Sequence, residues 1–153
     1  MKKEILLIKA ALQIQKPVNE VFEAIVDPLK MSNYFISEGS GRMETGKIIR
    51  WKFPEFDIEF PVKIGKIEKD KYLSFTWEID GIELLVEMML DSKGASDTLV
   101  TITEGKRENN KEGIKWLSGN TEGWANFLAC LKAYLEYGIN LRKGAFDFLS
   151  DKN

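Results

Sequence analysis

Residues 73–90, Leu-Ser-Phe-Thr-Trp-Glu-Ile-Asp-Gly-Ile-Glu-Leu-Leu-Val-Glu-Met-Met-Leu, decide the fold. Leu73, Phe75, Trp77 and Ile79 alternate with Ser74, Thr76 and Glu78, which is the period of a strand with one apolar face. Asp80-Gly81 then supplies the residue pair that a two-residue hairpin turn favours, because both positions need a positive φ. Beyond it Ile82, Leu84, Val86, Met88 and Leu90 resume the alternation. Two antiparallel strands with a shared apolar face follow.

The same period extends to either side. Ile49, Trp51 and Phe53 alternate with Arg50 and Lys52, and Ile58, Phe60, Val62 and Ile64 with Glu59, Pro61 and Lys63. Pro61 suits an edge or a bulge, since proline cannot donate to a ladder. A last strand begins near Thr98 with Val100 and Ile102. An N-terminal strand over Glu4 to Gln15 places Ile8, Ala10, Leu12 and Ile14 on one face. Pro17 opens a short helix carrying Val18, Val21, Phe22 and Ile25, and Asp27-Pro28 ends it. A second short helix runs from Pro28 to about Tyr34.

A long helix is predicted from about Glu112 to Gly138. Trp116, Leu117, Trp124, Leu128, Leu131 and Leu135 form its stripe, with Phe127 and Tyr134 flanking. Gly138 caps it, and Gly119 and Gly123 weaken its first half enough to allow a break there. The order is β-α-α-β-β-β-β-β-α. An antiparallel sheet with one apolar face needs a cover. Only the terminal helix has the length and apolarity, so about six strands must curl around it.

The chain has 153 residues, the size of one domain spanning 1–153. Its net charge of -2 argues against nucleic acid as a partner. Histidine is absent, which removes imidazole-based nucleophile systems and histidine-ligated metal sites. A single cysteine, Cys130, permits no intrachain disulfide and suits a reducing cytoplasm. Met1-Lys2-Lys3 followed by Ile5 to Ile8 is signal-like, but Lys9 cuts the apolar run short. No stretch approaches the roughly 18 apolar residues of a membrane span. The expected location is the cytoplasm.

Three segments resemble a known family. Pro17-x3-Val21-Phe22-x-Ala24-x2-Asp27-Pro28 is similar to its first helix and turn. Thr101-Ile102-Thr103-Glu104 is similar to its last strand. Gly123-Trp124-x3-Leu128-x2-Leu131-Lys132-x2-Leu135-Glu136 is similar to its terminal helix. With the element order, the chain resembles the START-like superfamily (SRPBCC, Bet v 1-like), closest to the family homologous to the activator of the heat-shock protein 90 ATPase. The resemblance implies an α+β helix-grip fold. It also implies a small hydrophobic ligand, such as a lipid, polyketide-like or aromatic compound, held between sheet and helix. Contact with a chaperone or stress-response partner is an alternative, and a cofactor-free cyclase or hydrolase a further one. No cofactor or metal is implied, and the chain could act as a monomer or homodimer.

If a cavity separates helix from sheet, the large residues of the inner faces line it: Trp51, Phe53, Phe60, Phe75, Trp77 and Met88 from the strands, and Trp124, Phe127, Leu128 and Leu131 from the helix. The same residues would fill a solid core, and periodicity does not separate the two. Glu104 continues the inward alternation of Val100 and Ile102. It is expected to orient a ligand, to act as an acid or base with a raised pKa, or to pair with a cation at the rim, Arg42 and Arg50 being available. Glu83 and Glu87 read as solvated. Glu55, Asp57 and Glu59 do not have the spacing of a metal loop. Cys130 reads as a small buried hydrophobe.

Overall fold

A computed structural model describes residues 4–150; Met1 to Lys3, with their signal-like charge, lie outside the described residues. Strand β1 (Ile5–Ile14) leads into α1 (Val18–Val26) and α2 (Pro28–Met31). Six strands follow: β2 (Glu38–Gly39), β3 (Ile48–Lys52), β4 (Glu59–Glu68), β5 (Tyr72–Ile79), β6 (Ile82–Lys93) and β7 (Asp97–Glu108). Helix α3 (Lys111–Tyr137) comes next, and a 3-10 turn (Asp147–Ser150) ends the described chain. The strands form a seven-stranded antiparallel sheet in the order β1-β7-β6-β5-β4-β3-β2. This is the helix-grip arrangement, a curved sheet with a long helix across its apolar side.

The hairpin at 80–81 forms as its dipeptide predicts. Asp80 and Gly81 have φ of 53° and 77°, and Ile79 pairs with Ile82. Bulges bend the sheet in two places, at Lys106 of β7, opposite Leu6 and Leu7 of β1, and between Ile64 and Ile67 in β4. Pairing of β4 with β5 begins only at Lys63↔Thr76, so Pro61 interrupts no ladder on that side.

The structure corrects the sequence reading in four places. The sheet has seven strands, because the two-residue β2, too short to show a period, pairs with β3. Strand β7 runs on past Ile102 to Glu108, its polar end paired with β1 and β6. Helix α2 stops at Met31 and continues as turns to Tyr34. Helix α3 is unbroken through Gly119 and Gly123.

Both ends of α3 are capped. Asn110 accepts from the Gly113 amide at 2.7 Å, and Gly138, at φ 66°, donates to the carbonyls of Ala133 and Tyr134. Its C-terminal half is tied to β1. Lys132 Nζ donates to the Gln13 carbonyl at 2.9 Å, and the Gln15 amide donates to Glu136 at 2.8 Å. Helices α1 and α2 close one end of the sheet, where the Tyr34 hydroxyl donates to the Ala24 carbonyl at 2.8 Å. The core comprises Ile8, Ile14, Leu84, Val86, Val100 and Ile102 of the strands, with Val21, Ile25, Leu128 and Leu131 of the helices.

Gly119 tests how α3 is held. A Cβ added there meets nothing within 4 Å. Gly119→Ala should therefore stabilise the fold by about 0.5–1 kcal/mol through helix propensity alone, read as a raised urea midpoint at constant slope.

Candidate ligand cavity

Helix α3 does not fill the concave side of the sheet everywhere. Between it, the strand ends of β3 to β5 and the segment after α3 lies a cavity of about 260 Å³. Phe53, Phe60 and Trp77 form its sheet wall, and Trp124 and Phe127 its helix wall. Phe35, from the turn after α2, stands between them. Its ring centroid lies 5.2 Å from that of Phe53 and 4.7 Å from that of Phe127, both edge to face. Trp124 and Trp77 approach at 5.7 Å with a tilt of 35°. Such edge-to-face contacts hold rings in defined orientations, so the wall is preshaped.

The predicted lining residues divide. Phe53, Phe60, Trp77, Trp124 and Phe127 face the cavity. Trp51, Phe75, Met88, Leu128, Leu131 and Glu104 are buried in the core and do not line it. The reason is depth. Met88 sits in β6, a strand flanked on both sides, between Leu73 of β5 and Ile102 of β7. Trp51 is sealed by Phe35 at 5.5 Å, Phe75 at 5.2 Å and Trp77 at 6.0 Å. That packing leaves the Trp51 indole N–H without a hydrogen-bond partner.

Glu104 points inward and has no solvent exposure. The expected rim cation is not its partner. Arg42 pairs instead with Glu23, whose carboxyl the guanidinium holds below its usual range. Three donors meet Glu104: Trp77 Nε1 at 2.7 Å on Oε2, and Trp116 Nε1 at 3.1 Å and Asn120 Nδ2 at 2.7 Å on Oε1. A carboxylate offers about four acceptor sites, and an indole only donates, so the set is complementary. Two of these partners, Trp77 and Asn120, also line the cavity. Glu104 therefore lies behind the cavity wall and holds two of its side chains by hydrogen bonds.

The mouth is polar. Arg142 makes a two-pronged contact with Glu55, both distances 2.7 Å, and stacks on Phe146 at 5.1 Å. The pair joins the segment after α3 to the loop between β3 and β4, and Phe146 and Leu149 of that segment face the cavity. Asn120, Gly123, Asn126 and Cys130 complete the α3 side, and Tyr34, Phe56 and Ile79 close the remaining edges. Sequence reasoning missed most of these because they lie in turns or in the tail, where no period marks an inward face. Asn120 had a detectable signal, four residues before Trp124 on the same helix. A second depression, of about 320 Å³ near Glu20, Lys30 and Lys69, is walled mainly by charged side chains. Among the described residues no cluster of acidic or cysteine side chains could hold a metal ion.

Two outcomes follow from this geometry. In Glu104→Gln the amide oxygen can replace either Oε1 or Oε2, so its NH2 group always confronts at least one donor. The variant should lose about 1–3 kcal/mol in urea unfolding. Burial pushes the Cys130 thiol up, with the charge of Arg142 opposing. Iodoacetamide should alkylate Cys130 slowly at pH 7, and the rate should climb only as pH passes above the ordinary thiol range of about 8.5. A rate already at its plateau by pH 8 would contradict this.

The family described as Activator of Hsp90 ATPase homolog 1-like protein matches residues 15–136. No curated protein matches the chain. Among solved structures, a protein from Staphylococcus saprophyticus is 34% identical with a TM-score of 0.78, covering 90% of this chain and 96% of that one. DynU16, a protein in the dynemicin biosynthetic locus, is 26% identical with a TM-score of 0.77; the match covers 88% of this chain but only 48% of DynU16. The Aha1 dimer from Colwellia psychrerythraea shares the fold at 18% identity, with a TM-score of 0.74 over 87% of this chain and 98% of that one. With 122 consecutive residues matched and the helix-grip sheet in place, this chain belongs to the Activator of Hsp90 ATPase homolog 1-like family, within the START-like superfamily.

Proposed function

We propose that the protein binds a small, flat, apolar molecule between α3 and the sheet. The observation that carries this reading is the cavity of about 260 Å³ walled by preoriented aromatic rings. It lies just under the range of roughly 300–1,000 Å³ typical of small-molecule sites, which suits a two- or three-ring compound rather than a long acyl chain. Ring faces and edges on several sides favour an aromatic guest. The match to DynU16, a protein of a biosynthetic locus, supports a small-molecule role over about half of that protein.

The polar groups at the cavity favour holding over turnover. Arg142 and Glu55 occupy each other, burial keeps the Cys130 thiol protonated at neutral pH, and Glu104 is enclosed by donors. General acid–base chemistry needs a group that can reach the substrate proton. A second reading, contact with an ATPase chaperone or with a second copy of the chain, draws support from the family's name and from the Colwellia dimer. A chaperone ATPase rate unchanged on addition of this protein would remove the chaperone part of that reading.

Gly123 supplies the test of the main one. It lines the cavity, and a Cβ there would meet nothing within 4 Å. Naphthalene titrated into the native protein should shift the indole N–H resonances of Trp77 and Trp124. Gly123→Phe should keep the fold by circular dichroism and lose that response at least tenfold, the ring occupying the guest's space. Equal responses in both proteins, or none in the native one, would reject the receptor reading.

A further inference from the structure

Most polar groups around the cavity already have partners, and that narrows the ligand. The Tyr34 hydroxyl is donated to the Ala24 carbonyl at 2.8 Å. Arg142 and Glu55 face each other at 2.7 Å. The Asn126 side chain has no hydrogen-bond partner among the described residues, so nothing fixes which way its amide points. Asn120 differs. Its Nδ2 is held 2.7 Å from Oε1 of the fully buried Glu104. The reversed amide would set a carbonyl oxygen against a carboxylate oxygen, acceptor against acceptor. Glu104 is itself fixed by Trp77 and Trp116, so the orientation of Asn120 is dictated by the core behind it.

The consequence is an oriented acceptor. With Nδ2 committed to Glu104, the Asn120 Oδ1 is left over, and it accepts from no described residue. Asn120 lines the cavity beside Trp77 and Trp124, whose rings are the widest apolar surfaces there. Building on the receptor reading above, we infer that the preferred ligand is a flat aromatic compound bearing an N–H or O–H donor, which lies against the tryptophans and donates to Oδ1 of Asn120. Pockets obtain orientation and selectivity from a few such fixed polar groups in an apolar wall. A ligand lacking the donor leaves Oδ1 unpaired and dry, which is the costlier failure.

Indole and benzofuran test this, because they share one shape and differ in a ring N–H against a ring oxygen. Calorimetry or ligand-detected NMR on the native protein should find indole about fivefold tighter, the size expected of one neutral hydrogen bond. In Asn120→Leu the ratio should fall to about one. Comparing ratios cancels any general weakening of the cavity. If Asn120→Leu does not fold, Asn120→Ala takes its place in the same comparison. Both compounds binding natively with equal affinity would overturn the donor inference while leaving the receptor reading intact. An indole preference that survives Asn120→Leu would overturn the assignment to Asn120. Neither compound binding, with naphthalene also unbound, would overturn both.

Discussion

A buried carboxylate is tolerable only where donors surround it, and Glu104 has three. The donors come from two elements. Trp77 belongs to β5, and Trp116 and Asn120 to α3, while Glu104 itself is on β7. One side chain thus ties the first half of the long helix to two strands that are not neighbours in the sheet. Lys132 and Glu136 do the same for the second half, against β1. Between these two anchorages the helix crosses the concave face, and the aromatic rings of β5 and α3 set its distance. The indoles are wide enough to hold the surfaces apart and polar at one edge only. Trp77 and Trp116 keep their N–H groups towards Glu104, and Trp77 and Trp124 line the cavity.

Much of this was legible in the sequence. The alternation of Leu73 to Ile79 and of Ile82 to Leu90, with Asp80-Gly81 between, specified a hairpin and its register. The stripe from Trp116 to Leu135 specified the covering helix. What a period cannot convey is depth. Trp51 and Phe53 lie on the same strand face by alternation, yet Trp51 is sealed and Phe53 meets the cavity. Met88 and Phe60 differ for the same reason, one lying in the middle of the sheet and the other towards its open side. Glu104 was legible as an inward residue but its partners were not, since indole N–H groups on separate elements leave no mark in the spacing. The strand extensions past Ile102 and the two residues of β2 depend on neighbours for pairing.

The segment after α3 was the least legible part of the chain, and it completes the site. Residues 139–150 show no amphipathic period, and Leu141 and Phe148 remain largely exposed. They are held mainly by Arg142, whose side chain is 12% exposed and whose partner Glu55 is 3% exposed. Desolvating such a pair costs about as much as its attraction returns, so it adds little net stability. Its geometry is what matters. A two-pronged arginine–carboxylate contact fixes direction as well as distance, and the guanidinium also stacks on Phe146. A segment with little apolar burial of its own is thereby placed where Phe146 and Leu149 can close one side of the cavity. The same contact leaves both charges at the mouth neutralised. The cavity therefore presents aromatic carbon on most sides and, on the α3 wall, an amide whose orientation is set by a carboxylate that does not line the cavity.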